Sequence, residues 1–224
     1  MHFALCTFMT DLLPIIALSL RVSITALALG AAMGVPLGAW LGLSQFRGRG
    51  LLVALIYTGM GLPPVVVGLF VYLMLSRAGP LGAWQWLFTP NAMIAAQTIL
   101  AMPLIAGFVM AAVMGVDPDL RRQFISLGAT STQATLAVLR EARTGVVVAL
   151  VAGFGGVISE VGAVMLVGGN IAGETRTLTT AIVLETRQGD FDRAIALGLV
   201  LLAISFAINL VVMLLQGRAG VVKS

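Results

Sequence analysis

The stretch Asp117-Pro118-Asp119-Leu120-Arg121-Arg122-Gln123-Phe124-Ile125-Ser126-Leu127-Gly128-Ala129, running on to Arg140, Glu141 and Arg143, is the only long polar segment caught between two strongly apolar ones. It carries Arg121, Arg122, Arg140 and Arg143. Between them lies a short apolar ridge, Phe124, Leu127 and Ala129, with Gly128 inside it. Residues 117–143 read as a short helix pair that faces the cytoplasm and receives mechanical work from a partner. A plain basic loop that only fixes topology has the same composition, so the residues alone leave both readings open.

The chain around that segment is 59% hydrophobic and 10% charged, where a soluble domain has about a quarter of its residues charged. Apolar runs recur that are long enough to cross a hydrocarbon core of roughly 30 Å at about 1.5 Å per residue. This describes an all-α polytopic membrane protein with no room for a second, soluble domain. The net charge of +4 is spread over short loops, so it reports topology and membrane-lipid contact and gives no sign of a nucleic-acid partner. Cys6 is the only cysteine and His2 the only histidine, which excludes an internal disulfide and leaves almost no imidazole chemistry. The only lysine is Lys223, so no phosphate-binding loop exists and the chain is not itself a P-loop ATPase. No nucleophile–base–acid set and no metal-ligand spacing is present. No catalytic residue, metal or cofactor is expected on this chain. No basic cluster precedes the first apolar run, so 1–11 reads as a short tail rather than a cleaved signal.

About five spans are expected. The first covers 12–43 and repeats glycine every four residues at Gly30, Gly34, Gly38 and Gly42, one ridge on which another helix can approach closely. The second, 51–75, carries Gly61-Leu62-Pro63-Pro64 at its centre. Proline removes a donor and clashes with the preceding turn, so this helix bends or breaks, and broken helices mark transport pathways. The third, 91–116, contains Pro103, with Gln97 and Thr98 placed to hydrogen-bond a neighbour. The fourth starts near Thr144, and the fifth covers 194–215. External loops are expected at 76–90 and 170–193. Of the thirteen Lys and Arg residues, eight fall on the proposed inner side, giving an extracellular N-terminus and a cytoplasmic C-terminus.

Two further features invite function. Glu160 follows Ser159 inside the fourth apolar stretch, and a carboxylate there is either a pathway residue or a structural anchor. Thr175, Arg176, Thr177, Thr179 and Thr180 combine hydroxyls with one guanidinium. That set suits a tetrahedral oxyanion, and equally a hydrated loop that caps the next helix.

Ser159-Glu160-Val161-Gly162-Ala163, then Gly168-Gly169-Asn170-Ile171, Gly173 and Thr175-Arg176-Thr177-Leu178 resemble the signature region of oxyanion ABC transporter permeases, the molybdate, sulfate and tungstate group. Gly153-Phe154-Gly155, Thr180-Ala181-Ile182, Leu184-Glu185-Thr186 and Gly61-Leu62-Pro63-Pro64-Val65-Val66-Val67-Gly68 are most similar to tungstate permeases. The resemblance covers 12–217 as a single permease domain. It implies a type I, MetI-like importer fold in the cell inner membrane. It also implies a homodimer, two cytoplasmic ATP-binding subunits that carry ATP and Mg, and an extracytoplasmic binding protein that delivers the anion. On this reading Phe124, Leu127, Gly128 and Ala129 couple to the ATPase. Pro63, Pro64, Ser159, Glu160, Asn170, Thr175, Arg176 and Thr177 belong to the pathway or its gate. The family's cytoplasmic motif begins Glu-Ala-Ala and ends in proline; here Arg122-Gln123-Phe124 and Glu141 stand at those places, so the usual ion pairs of docking are altered. The rival readings are the same importer for molybdate or sulfate, and a channel without a motor.

Overall fold

The computed structural model describes the backbone of residues 2–220 and the side chains of residues 12–214. Ten α-helices follow one another: α1 (His2–Leu43), α2 (Arg49–Met60), α3 (Pro64–Leu75), α4 (Pro90–Met114), α5 (Pro118–Ser126), α6 (Ser131–Glu141), α7 (Arg143–Ile158), α8 (Gly162–Gly168), α9 (Leu178–Gln188) and α10 (Phe191–Gly220). A turn of 3-10 helix, Gly82–Trp84, lies between α3 and α4. No strand occurs among the described residues.

Three helices are long and apolar enough to cross a membrane unbroken: Leu12–Leu43, Pro90–Met114 and Phe191–Leu214. Two pairs of shorter helices reach that length and apolarity only together and are sharply bent, α2 with α3 at 99° and α6 with α7 at 73°. Counting each bent pair as one span gives up to five, the expected number, but the pair α6–α7 is not the expected fourth span, which starts near Thr144 and so takes in α7 without α6. The break at Pro63-Pro64 is the expected one: Pro63 is extended at ψ 121° and Pro64 opens α3, where its missing N–H costs nothing.

Three expectations need correction. The tail at 1–11 is helical from His2 onward. The fourth apolar stretch is not one helix. It stops at Ile158, turns through Ser159–Val161 and restarts as α8. The stretch 170–193, expected as an external loop, contains a full helix, α9. Thr177 and Thr180 form a reciprocal capping box at its start, and Gly189 ends it at φ 80°. Its apolar side, Leu178 and Ala181, is buried with Leu197 of α10. Lys223 and the side chain of Arg218 lie outside the described residues.

α4 is the inner helix. About three-fifths of its apolar window is buried, against 6% for α10, so α10 leaves most of its surface uncovered by the rest of the chain. The reason α1 approaches α4 so closely is the glycine ridge. A methyl group added at Gly30 would lie 2.9 Å from Ala101 Cβ, at Gly34 2.8 Å from the Met102 carbonyl, and at Gly42 3.1 Å from Val113. At Gly38 it would overlap the Ala106 carbonyl. Contacts advance together along both chains, so α1 and α4 are parallel. Between apolar helices in lipid this close fit is the main attraction, because lipid tails are as apolar as the helices themselves.

Candidate functional site

Two places gather the singled-out residues. One is a junction of helix breaks. The start of α3 faces the start of α8: a methyl at Gly162 would lie 2.8 Å from Val65, and one at Gly68 2.7 Å from the Ala163 Cα. Glycines let the two broken spans meet backbone to backbone. Glu160 lies in this junction, half-buried. Its Oε1 accepts the Ala163 N–H at 2.9 Å, so the carboxylate caps α8. Its main-chain carbonyl accepts the Thr179 hydroxyl of α9 at 3.1 Å. Ser159 folds its hydroxyl back to the Gly155 carbonyl at 2.7 Å. From the far side, Gln97 of α4 donates to the Val157 carbonyl at 2.7 Å. These four bonds tie the break to α8, α9, α7 and α4, the kind of internal satisfaction that irregular backbone in a membrane protein needs. Gln97 is buried and its Oε1 has no partner.

The threonine run is not an open set of hydroxyls. Thr175 is fully buried; it donates to the Gly168 carbonyl at 2.6 Å and accepts the Ile171 N–H at 2.9 Å. Thr177 and Thr180 serve the capping box, and Thr177 and Thr179 share a hydroxyl contact of 3.1 Å. The loop residues 171–174 are exposed while the threonine hydroxyls are buried, so of the expected hydrated, capping loop it is the capping that the hydroxyls perform. Asn170 sits at φ 53°. Asn170 Oδ1 and Arg176 Nε are both buried without partners. Within this run they are the groups with unused polar capacity.

The second place is the α5–α6 turn. Leu127 caps α5, the Gly128 N–H reaches the Ile125 carbonyl at 3.0 Å and the Ala129 N–H reaches Phe124 at 3.0 Å. This is a Schellman ending, with Gly128 at φ 90°. Thr130 then starts α6 in a capping box with Gln133. Gly128 thus shapes the turn. The surface it presents is apolar: Leu127 is 85% exposed at the tip, flanked by Phe124 and Ile125. This turn shares one end of the molecule with the close of α1, because Gly42, Gln45, Asp117 and Arg121 line a common cleft.

A family model described as binding-protein-dependent transport system inner membrane component matches residues 34–219. The chain belongs to that family. This inner membrane component is 50% identical over 206 residues to a "Probable anion ABC transporter permease protein" of Haloferax volcanii, covering 90% of this chain and 89% of the other. It is 46% identical over 212 residues to the "Tungstate uptake system permease protein TupB" of Peptoclostridium acidaminophilum, covering 95% and 93%. Its fold matches a bacterial alginate ABC transporter solved in complex with an alginate pentasaccharide-bound periplasmic protein, with TM-score 0.76, 23% identity and coverage of 96% and 81%. The all-α, multi-pass architecture is that of a type I ABC importer permease.

Pro63-Pro64 and Ser159-Glu160 were assigned to one pathway from the sequence though far apart in the chain, and the helices that follow these two breaks pack together, Val65 against Gly162 and Gly68 against Ala163. Gln97 was legible as the amide inside an apolar helix, but its partner Val157 was not. Arg49 was read only as a topology signal. Its Nε donates to the Leu41 carbonyl at 2.9 Å and its Nη2 approaches Met114 Sδ at 3.5 Å, pinning α2 to the ends of α1 and α4.

Proposed function

We propose that this permease carries tetrahedral oxyanions, tungstate foremost, into the cell as the membrane subunit of an ATP-driven importer. A homodimer of this chain forms the path, and ATP and Mg are bound by two cytoplasmic subunits. An extracytoplasmic protein delivers the anion. The N-terminus is outside, and the α5–α6 turn and the C-terminus are inside. The observation that carries the coupling half of this reading is Leu127, an aliphatic side chain held in the open at the tip of a rigidly capped turn. An apolar tip of this kind suits a groove of the ATPase, and Phe124 and Ala129 flank it.

The junction around Glu160 is the moving part in this scheme. It is held by a few side-chain hydrogen bonds instead of a continuous helix, so a push on α5 and α6 reaches it through α7. Asn170 and Arg176, with their unpaired buried atoms, lie on the proposed entry side of α8. The chain supplies only contacts that differ between inward- and outward-open states; ATP bound elsewhere supplies the free energy.

The test is reconstitution in lipid vesicles with the cognate ATPase and binding protein, followed by uptake of labelled tungstate, molybdate and sulfate. ATP-dependent uptake with tungstate preferred is expected. ATP-independent flux would favour a channel, and preference for molybdate or sulfate would move the substrate assignment while leaving the importer.

A further inference from the structure

The cleft between the ends of α1 and α4 and the start of α5 is unused by the transport scheme. It encloses about 430 Å³. Its apolar floor includes Gly42 and Val113, the last turns of two membrane spans, and its polar rim includes Gln45, Asp117, Arg121 and Arg122. Arg121 donates Nη2 to Ser131 at 3.0 Å, yet its Nε is buried with no acceptor. Arg49 stands beside the cleft through Met114, which lines it.

Acids balance only part of the charge here: Asp117 is the one carboxylate that lines the cleft, beside Arg121 and Arg122. Arg122 pairs with Asp119 at 3.0 Å, and Asp117 spends its Oδ1 on the Asp119 N–H at 2.9 Å. Arg49 and Arg121 have no carboxylate among the ion pairs of the described residues. Depth is marked independently. Trp40 and Phe46, both partly exposed, stack with ring centroids 4.8 Å apart at the close of α1, and exposed Trp side chains concentrate at the headgroup level of a membrane. The arginine face of α5 (Pro118, Arg121, Arg122) is also separate from the apolar pair Leu120 and Phe124, which line a different groove with Leu136 of α6. The cationic cleft therefore need not be covered when the apolar tip is engaged.

We propose that this cleft holds the phosphate of one anionic glycerophospholipid, with Arg121 and Arg49 as its principal ligands and the acyl chains running down the apolar ends of α1 and α4. A phosphate oxygen gives the Arg121 Nε–H the acceptor it lacks, on a small rotation of the side chain. Guanidinium groups suit this because they meet phosphate with two parallel donors. Basic pockets between membrane helices at a headgroup surface are built for such ligands. The inference goes beyond the transport reading and does not depend on it, since it needs only that α1 and α4 span a membrane.

The test is native mass spectrometry of the full chain in detergent, titrated with phosphatidylglycerol or phosphatidylcholine. Wild type should retain phosphatidylglycerol preferentially. Arg121→Gln and Arg49→Gln should each weaken that retention about fivefold, the equivalent of about 1 kcal/mol per cation. Arg121→Lys should recover part of it, and Arg187→Gln on α9 should change nothing. Size-exclusion profiles report folding, and Arg49→Gln, away from the α5–α6 turn, provides the second variant if Arg121→Gln misfolds. Equal retention of the two lipids, unchanged retention in both Gln variants, or displacement of the lipid by inorganic phosphate would each overturn the proposal.

Discussion

Gln97 of α4 and Val157 of α7 are joined by one buried hydrogen bond of 2.7 Å at the last turn before α7 breaks. The Val157 carbonyl also accepts the Glu160 N–H at 3.3 Å, so it has two donors, one local and one from the inner helix. The second donor fixes where the break sits relative to α4. Gln97→Leu keeps the volume and removes only that tie. It should lower stability by about 1 kcal/mol, the net worth of one hydrogen bond. Uptake in vesicles should fall severalfold more than the shift in thermal midpoint accounts for. Wild-type uptake would show that the tie is structural alone.

Glu160 caps α8 with an oxygen that an amide also supplies. Glu160→Gln keeps that acceptor and removes the charge, whereas Glu160→Ala removes both. If the cap is the function, Gln should retain most uptake while Ala loses it, with a cost to stability of about 0.5–2 kcal/mol for a lost cap. Equal failure of both variants, with the protein folded, would assign the role to the charge.

Leu127→Asp places a charge on a residue that is already 85% exposed. The fold should change by less than about 0.5 kcal/mol. Co-purification of the ATP-binding subunit and ATP-driven uptake should both drop. Undiminished co-purification would remove Leu127 from the docking surface.

Gly128 adopts φ 90° with nothing within 4 Å of an added methyl, so its restriction is conformational and not steric crowding. Gly128→Asn should be tolerated, while Gly128→Val should cost about 1–2 kcal/mol at the turn. Limited proteolysis at the α5–α6 turn should report it as faster cleavage of the Val variant.

Gly38 is the opposite case. An added side chain there meets the Ala106 carbonyl of α4. Gly38→Leu should cost about 1–3 kcal/mol by overpacking and lower the thermal midpoint. Gly50→Leu, in open space on α2, should leave it unchanged.

Much of the fold was legible because membrane burial writes itself into composition. Charge-free runs of spanning length fix where helices lie, Pro63-Pro64 fixes a break through a missing N–H, and a four-residue glycine repeat fixes a close neighbour. The polar segment 117–143 was set off by Asp117-Pro118-Asp119, which stops the helix before it; the Gly128 turn and the Thr130 cap that divide it into two helices emerged with the structure.

The break at Ser159–Val161 had no such signal. No proline stands there, and its stability comes from Gln97, Thr179 and Val65, which are distant in the chain. The same holds for the threonine run, whose hydroxyls look available in sequence and are consumed by burial against α1 and α8. Leu178, for example, donates its N–H to Ser19, 159 residues away. From composition and local signals alone came a multi-span helical membrane protein with one polar segment between its apolar runs, because lipid admits only self-satisfied helices. The tertiary structure decided which polar groups remain unpaired, since a hydrogen bond depends on what packs across the gap and not on what precedes it in the chain.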